Sequence, residues 1–162
     1  MFDGSADEES SRLYLRYAEL GRLGVGDDFR LGTDALVMDA VPYRSLTLKV
    51  VWSPKVWSHL KVNYTWAALR DCAPSLVVTC GSDALWCLRD LLPGLAEKIP
   101  DGWRLGDWIG KDLLVSTEWG SVRVLPLPHL TSAHGISSDD RREYGLHLHQ
   151  MLSAPGTANE DP

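Results

Sequence analysis

The sequence predicts a three-layer α/β domain with a mostly parallel central sheet, and two observations carry that expectation. Short apolar runs, Ala35 to Val41 and Leu76 to Cys80, suit strands covered on both faces. Around them, apolar residues recur at three- and four-residue steps, so strands and helices alternate along the chain. There is no internal repeat. At 162 residues the chain suits one domain that buries about two thirds of its unfolded surface. The expected boundaries are a single domain over 1–153 and a flexible tail over 154–162.

Met1 to Ser11 is small and polar, with Ser10 or Ser11 placed to cap a helix. Leu13, Tyr17, Leu20 and Leu23 then share one face of an amphipathic helix, for which Gly24 supplies a stop. Gly26 to Gly32 reads as turns, and Ala35 to Val41 as a buried strand interrupted by Asp39. Leu46 to Val56 carries no clear period. Trp57, Leu60, Tyr64, Ala67, Ala68 and Cys72 have helical spacing ending before Pro74, and Leu76 to Cys80 is the second buried strand. Gly81-Ser82-Asp83 turns into a helix through Ala84, Leu85, Leu88, Leu91 and Leu92, stopped by Pro93-Gly94. That turn is either an ordinary cap or a place where exposed backbone N–H groups meet a ligand. Ile99 to Gly110 is a loop rich in glycine and tryptophan. Leu113 to Thr117 and Ser121 to Leu127 form a hairpin or two adjacent strands, where Pro126 and Pro128 stop the second and rule out an immediate helix. After the His129 to Gly135 loop, Ser137 or Ser138 caps a helix in which Tyr144, Leu148, Met151 and Leu152 share a face.

Formal charge is −6, from 22 acidic and 16 basic residues, which gives no general attraction to nucleic acid. Any DNA contact must therefore be local. Six of the acids lie at the chain ends, at Asp3, Asp7, Glu8, Glu9, Glu160 and Asp161, and the remainder is balanced. Cys72, Cys80 and Cys87 are an odd set without metal-binding spacing, as expected for reduced thiols in a cytoplasmic protein. No signal-like start and no membrane-length apolar run is present, so a soluble monomer without a membrane partner is expected.

Ligands of open α/β sheets gather beyond the carboxyl ends of the strands. Three chemically distinctive stretches fall at such ends: Asp39 with Pro42-Tyr43-Arg44, Gly81-Ser82, and His129 to Gly135. The succession V-M-D-A-V-P-Y-R, L-V-V-T-C-G-S-D-A-L and V-L-P-L-P-H-L-T-S-A-H-G resembles the uracil-DNA glycosylase superfamily. This resemblance runs in order from about Arg12 to Leu152, and its final loop is the most specific part. It implies an enzyme that flips a damaged or deaminated base out of DNA and hydrolyses its N-glycosidic bond. His129 would stabilise the charge developing on the departing base. Thr131, Ser132, Ala133 and His134 would contact phosphates and wedge into the duplex, with Gly81 and Ser82 as further DNA contacts. Asp39 and Tyr43 would bind the base, and no cofactor is implied.

Two departures from the family pattern sharpen the expectation. Asp39 stands where an asparagine usually reads uracil, and an ionised carboxylate only accepts hydrogen bonds, so a base presenting an amino group fits better. Its alternative role is to pair with Arg44. The family also opens with a strand and a water-positioning loop, whereas here the first helix already begins near residue 11. Either that unit lies upstream of Met1, or the fold is rearranged and catalysis is lost. A non-catalytic relative that binds nucleic acid or a protein, and an unrelated α/β small-molecule enzyme, are the competing expectations. Leu130 replaces the usual proline of the last loop. Trp52, Trp57, Trp103, Trp108 and Trp119 are candidates for base stacking or for core anchors. His147 and His149, two apart on a helix, face different ways, and three cysteines are too few for an iron–sulfur cluster, so no metal is expected.

Overall fold

The structure, a computed structural model, describes residues 8–37, 58–59, 61–130 and 136–153. Its helices are α1 (Glu8–Val25), α2 (Ala67–Cys72), α3 (Ser82–Leu91), α4 (Pro93–Lys98) and α5 (Ser138–Ser153). Its strands are β1 (Leu76–Cys80), β2 (Leu113–Thr117) and β3 (Gly120–Leu127). A π-helical turn, Lys61–Trp66, leads into α2. The fold is α/β, with a small mixed sheet in the order β1-β3-β2. The chain divides into two compact units, one of residues 1–37 and 129–162, the other of 38–128.

The second unit contains the sheet. β1 and β3 are parallel, from Leu76 opposite Arg123 to Cys80 opposite Leu127, and β2 and β3 are antiparallel. This register gathers Val77, Val122, Val124, Leu113 and Val115 on one face. There they meet Leu85, Leu88, Leu92, Leu95 and Ile99 in a continuous apolar core. On the opposite face Leu125 and Leu127 are also fully buried, so β3 is covered on both sides, whereas Leu114 of β2 is 51% exposed.

Pro126 lies inside β3 rather than ending it. Its carbonyl accepts from the Gly110 N–H at 2.9 Å, beyond the end of the β2 ladder at Leu113. Its ring nitrogen faces that same side, so the missing donor leaves the β1 pairing intact. Pro93 does stop α3, which ends at Leu91, and at the same time opens α4, where a first-turn residue needs no N–H. The strands of the hairpin turn through Glu118-Trp119, with Gly120 at φ 120° and the Thr117 hydroxyl donating to the Gly120 carbonyl at 2.7 Å.

In the first unit α1 packs against α5. Gly24 does not end α1: the helix continues to Val25, and the turn comes at Gly26, at φ 130°, whose N–H bonds the Arg22 carbonyl. Gly24 serves instead as a contact point, since a Cβ there would lie 2.5 Å from Leu148 Cγ; at Gly145 it would lie 2.3 Å from Leu23 Cβ. The buried Arg141 donates to Glu19 at 3.1 Å and to the Ile136 carbonyl at 3.4 Å, tying α5 to α1. Ser10 and Ser11 fall inside α1, which begins at Glu8, so neither caps it. At α5 the predicted cap holds: Ser137 Oγ accepts from the Asp140 N–H, while Asp140 Oδ2 accepts from the Ser137 N–H. Tyr144, Leu148 and Met151 turn inward, but Leu152 is 47% exposed.

The predicted strand from Ala35 is not formed over its first residues. Asp34 accepts from the Arg30 N–H at 2.7 Å and closes a local turn. Ala35 makes only a bridge to Leu31, and Leu36 is 61% exposed. Residues 38–41 of that expected strand, like 46–56, lie outside the described residues.

Candidate functional site

Because β1 and β3 run parallel in this register, both chains leave the sheet at the same end, after Cys80 and Leu127. The Gly81 N–H donates to the Leu127 carbonyl at 2.8 Å, which fixes the first step of the turn beyond β1. Gly81 holds φ 99° and ψ 165°, a conformation that side-chain-bearing residues avoid. It is the N-cap of α3 and has no side chain with which to satisfy the N–H groups of the first turn. Ser82 and Asp83 follow, both exposed.

Of the residues singled out in the sequence, Gly81 and Ser82 thus stand together at the carboxyl end of β1. His129 follows β3 by two residues and is half-buried, and Leu130 is fully buried. Asp39, Tyr43, Thr131, Ser132, Ala133 and His134 lie outside the described residues.

Sequence reasoning passed over a groove of about 460 Å³ beside Ser82 and Asp83. Trp86, one helical turn further along α3, lines it together with Gly102, Trp103, Arg104 and Leu105. Arg89 ties α3 to the segment that precedes Gly102 by donating to the Ile99 carbonyl at 2.7 Å and to Asp101 at 2.7 Å. Trp86 was legible as a large aromatic on the polar side of α3, away from the buried Leu85, Cys87 and Leu88. The remaining tryptophans of the loops serve the core: Trp103, Trp108 and Trp119 all pack against it. Trp119 lies 5.6 Å from Trp66, ring to ring, and Lys111 sits 4.6 Å above Trp108. Trp52 and Trp57 are outside the described residues.

The thiols divide by environment. Cys72 is exposed and Cys87 buried, while burial pushes the Cys80 thiol up to about 12. A thiol so protonated at neutral pH is no nucleophile. In α5, His149 makes a 2.9 Å hydrogen bond between its Nδ1 and the Gly24 carbonyl, a tie to the end of α1. Among the described residues no cluster of His, Cys, Asp or Glu is arranged for a metal, and no helix is long and apolar enough to cross a membrane.

One side chain at this sheet end is unsatisfied. Thr79, on the core-facing side of β1 two residues before Gly81, has a buried hydroxyl without a hydrogen-bond partner among the described residues. Compared with known proteins, the chain matches no family model, no curated protein and no solved structure.

Proposed function

We propose that this protein is a DNA glycosylase-like enzyme of base excision, hydrolysing the N-glycosidic bond of a flipped, damaged or deaminated base. The observation that carries the reading is the shared exit of β1 and β3, which sends Gly81-Ser82 and the chain leading to His129 off the same end of the sheet. In an α/β sheet that end is where ligands bind. The fold we propose around it is three-layered with a mostly parallel sheet extending beyond the three described strands, and the burial of β3 on both faces supports this. In this reading His129 donates to the base oxygen that gains charge as the bond breaks. The uncapped first turn of α3 offers backbone N–H groups to a phosphate, with Ser82 beside them. Asp39 accepts from the amino edge of the base, and Thr131 to His134 hold the nucleotide out of the stack.

The test is base release from oligonucleotides carrying uracil, hypoxanthine, xanthine or a mismatched cytosine. Release is expected, with a base bearing an amino group favoured over uracil. Asp39→Asn should move that preference toward uracil, since an amide both donates and accepts. Folded protein that binds these duplexes and releases nothing would support a non-catalytic relative instead. Folded protein that ignores DNA altogether would favour an unrelated small-molecule enzyme.

A further inference from the structure

Arg141 is the only charged residue buried among the described ones, at 6% exposure. Its Nε donates to Glu19 Oε2 at 3.1 Å, the carboxylate oxygen that also accepts from Arg16 at 3.0 Å, and its Nη1 donates to the Ile136 carbonyl at 3.4 Å. Taking a guanidinium out of water costs more than such bonds return, because the carboxylate is 39% exposed and shared and the carbonyl bond is long. An apolar side chain of similar volume would hold α5 to α1 as well, as Leu148 does against Gly24. What the arginine adds is direction: its planar fork joins a side chain of α1 to one particular backbone carbonyl. That carbonyl belongs to Ile136, which closes the segment that His129 and the fully buried Leu130 open. Directly after it, Ser137 and Asp140 exchange hydrogen bonds in the cap of α5. The far end of the segment is thus held twice, and all of these residues belong to one unit.

We propose that Arg141 is a positioning residue for base excision, fixing the Ile136 end of the segment whose residues Thr131 to His134 hold the flipped nucleotide. The inference rests on the base-excision reading above and deepens it by naming a residue that acts on the reaction without touching base or phosphate. Releasing that end leaves the encounter with the duplex intact and lowers the fraction of bound duplex in which the base stays out of the stack. The loss therefore falls on the release step rather than on binding.

The experiment compares the full wild-type chain with Arg141→Met, an apolar side chain of similar length, on a duplex carrying a mismatched cytosine beside a 2-aminopurine. Chemical denaturation should give Arg141→Met the wild-type midpoint or a higher one, since Glu19 keeps Arg16 and no charge is left buried alone. Amide exchange at Ile136 should be faster. The duplex should bind as tightly, the 2-aminopurine signal of flipping should fall, and kcat and kcat/KM for base release should drop together by about tenfold or more. Arg141→Lys keeps the charge beside Glu19 without the planar fork and should show the same pattern with a smaller loss. Release that falls only in step with the denaturation midpoint in both variants would overturn the positioning role, as would wild-type release by folded Arg141→Met. Amide exchange separates that failure from failure of the reading beneath it. Faster exchange at Ile136 in the variant, with no base release even by wild type, removes the base-excision reading and leaves Arg141 as the anchor of the segment. Base release by wild type and variant alike does the reverse.

Discussion

The two units of this chain are stabilised in different ways. In the sheet unit, large aliphatic side chains from β2, β3, α3 and α4 interdigitate, and Leu85, Leu95, Val122 and Val124 are fully buried. In the helical unit, α1 and α5 meet through residues with no side chain at all, Gly24 against Leu148 and Gly145 against Leu23. One unit is filled by volume, the other is defined by close approach. A cavity should therefore damage the first most, and an added methyl group the second.

The largest expected effect comes from that contrast. Leu85→Ala removes a fully buried side chain from the middle of the sheet unit's core and should cost about 2–5 kcal/mol in chemical denaturation. All three cysteines lie in this unit, so thiol labelling reports its opening. Exposed Cys72 should react in the native protein at pH 8. Cys80, held protonated by its burial, and Cys87 should react only as the unit unfolds, faster in the variant.

Next is Gly145→Ala. An alanine ordinarily favours a helix by about 1 kcal/mol over glycine. Here its Cβ would fall 2.3 Å from the Cβ of Leu23, a backbone-proximal atom that cannot swing aside. The clash should win, with a net loss of about 1–3 kcal/mol and reduced hydrogen-exchange protection in α5. A stabilised variant would show that the helices do not approach closely.

How legible these features were in the sequence differs in the same way. The core of the sheet unit announces itself by type and spacing: Leu76 to Cys80, the leucines of α3 and the hairpin strands all fall where their pattern predicts. Gly24 reads as a helix stop because a single sequence does not distinguish a glycine that ends a helix from one that lets another helix in. Ala35-Leu36-Val37 reads as a strand because composition dominates a run of apolar residues. The Asp34 carboxylate, which closes the turn on Arg30, is a single side-chain bond with no periodic signature. At the candidate site, the glycine turn after β1 was legible from Gly81. The groove itself was not, since Trp86 and Arg104 line it from two separate segments of the chain.

A smaller effect of opposite sign is expected at Thr79. Its buried hydroxyl has no partner among the described residues, so Thr79→Val should raise stability by about 1 kcal/mol. A loss of similar size would mean that the hydroxyl is bonded in the working protein. An effect of similar size is expected at the start of α5. Ser137→Ala should cost about 1 kcal/mol through the lost cap. Hydrogen bonds from Ser137 hold the Asp140 carboxyl below the usual carboxylate range. Its contribution is thus complete above the ordinary carboxylate pKa of about 4 and is lost as pH falls through the lower folded value. Ser137→Ala should flatten that acid limb of the stability profile, and an unchanged limb would assign the acid sensitivity elsewhere.

The central claim concerns chemistry at the sheet end rather than stability, and the rate of base release by His129→Ala tests it most directly. If His129 meets the charge of the departing base, the variant should fold like wild type and bind the same duplex. Release of the preferred base should fall about 100-fold or more, as for loss of a donor to a developing oxyanion. An unchanged rate in a folded His129→Ala protein would contradict the account.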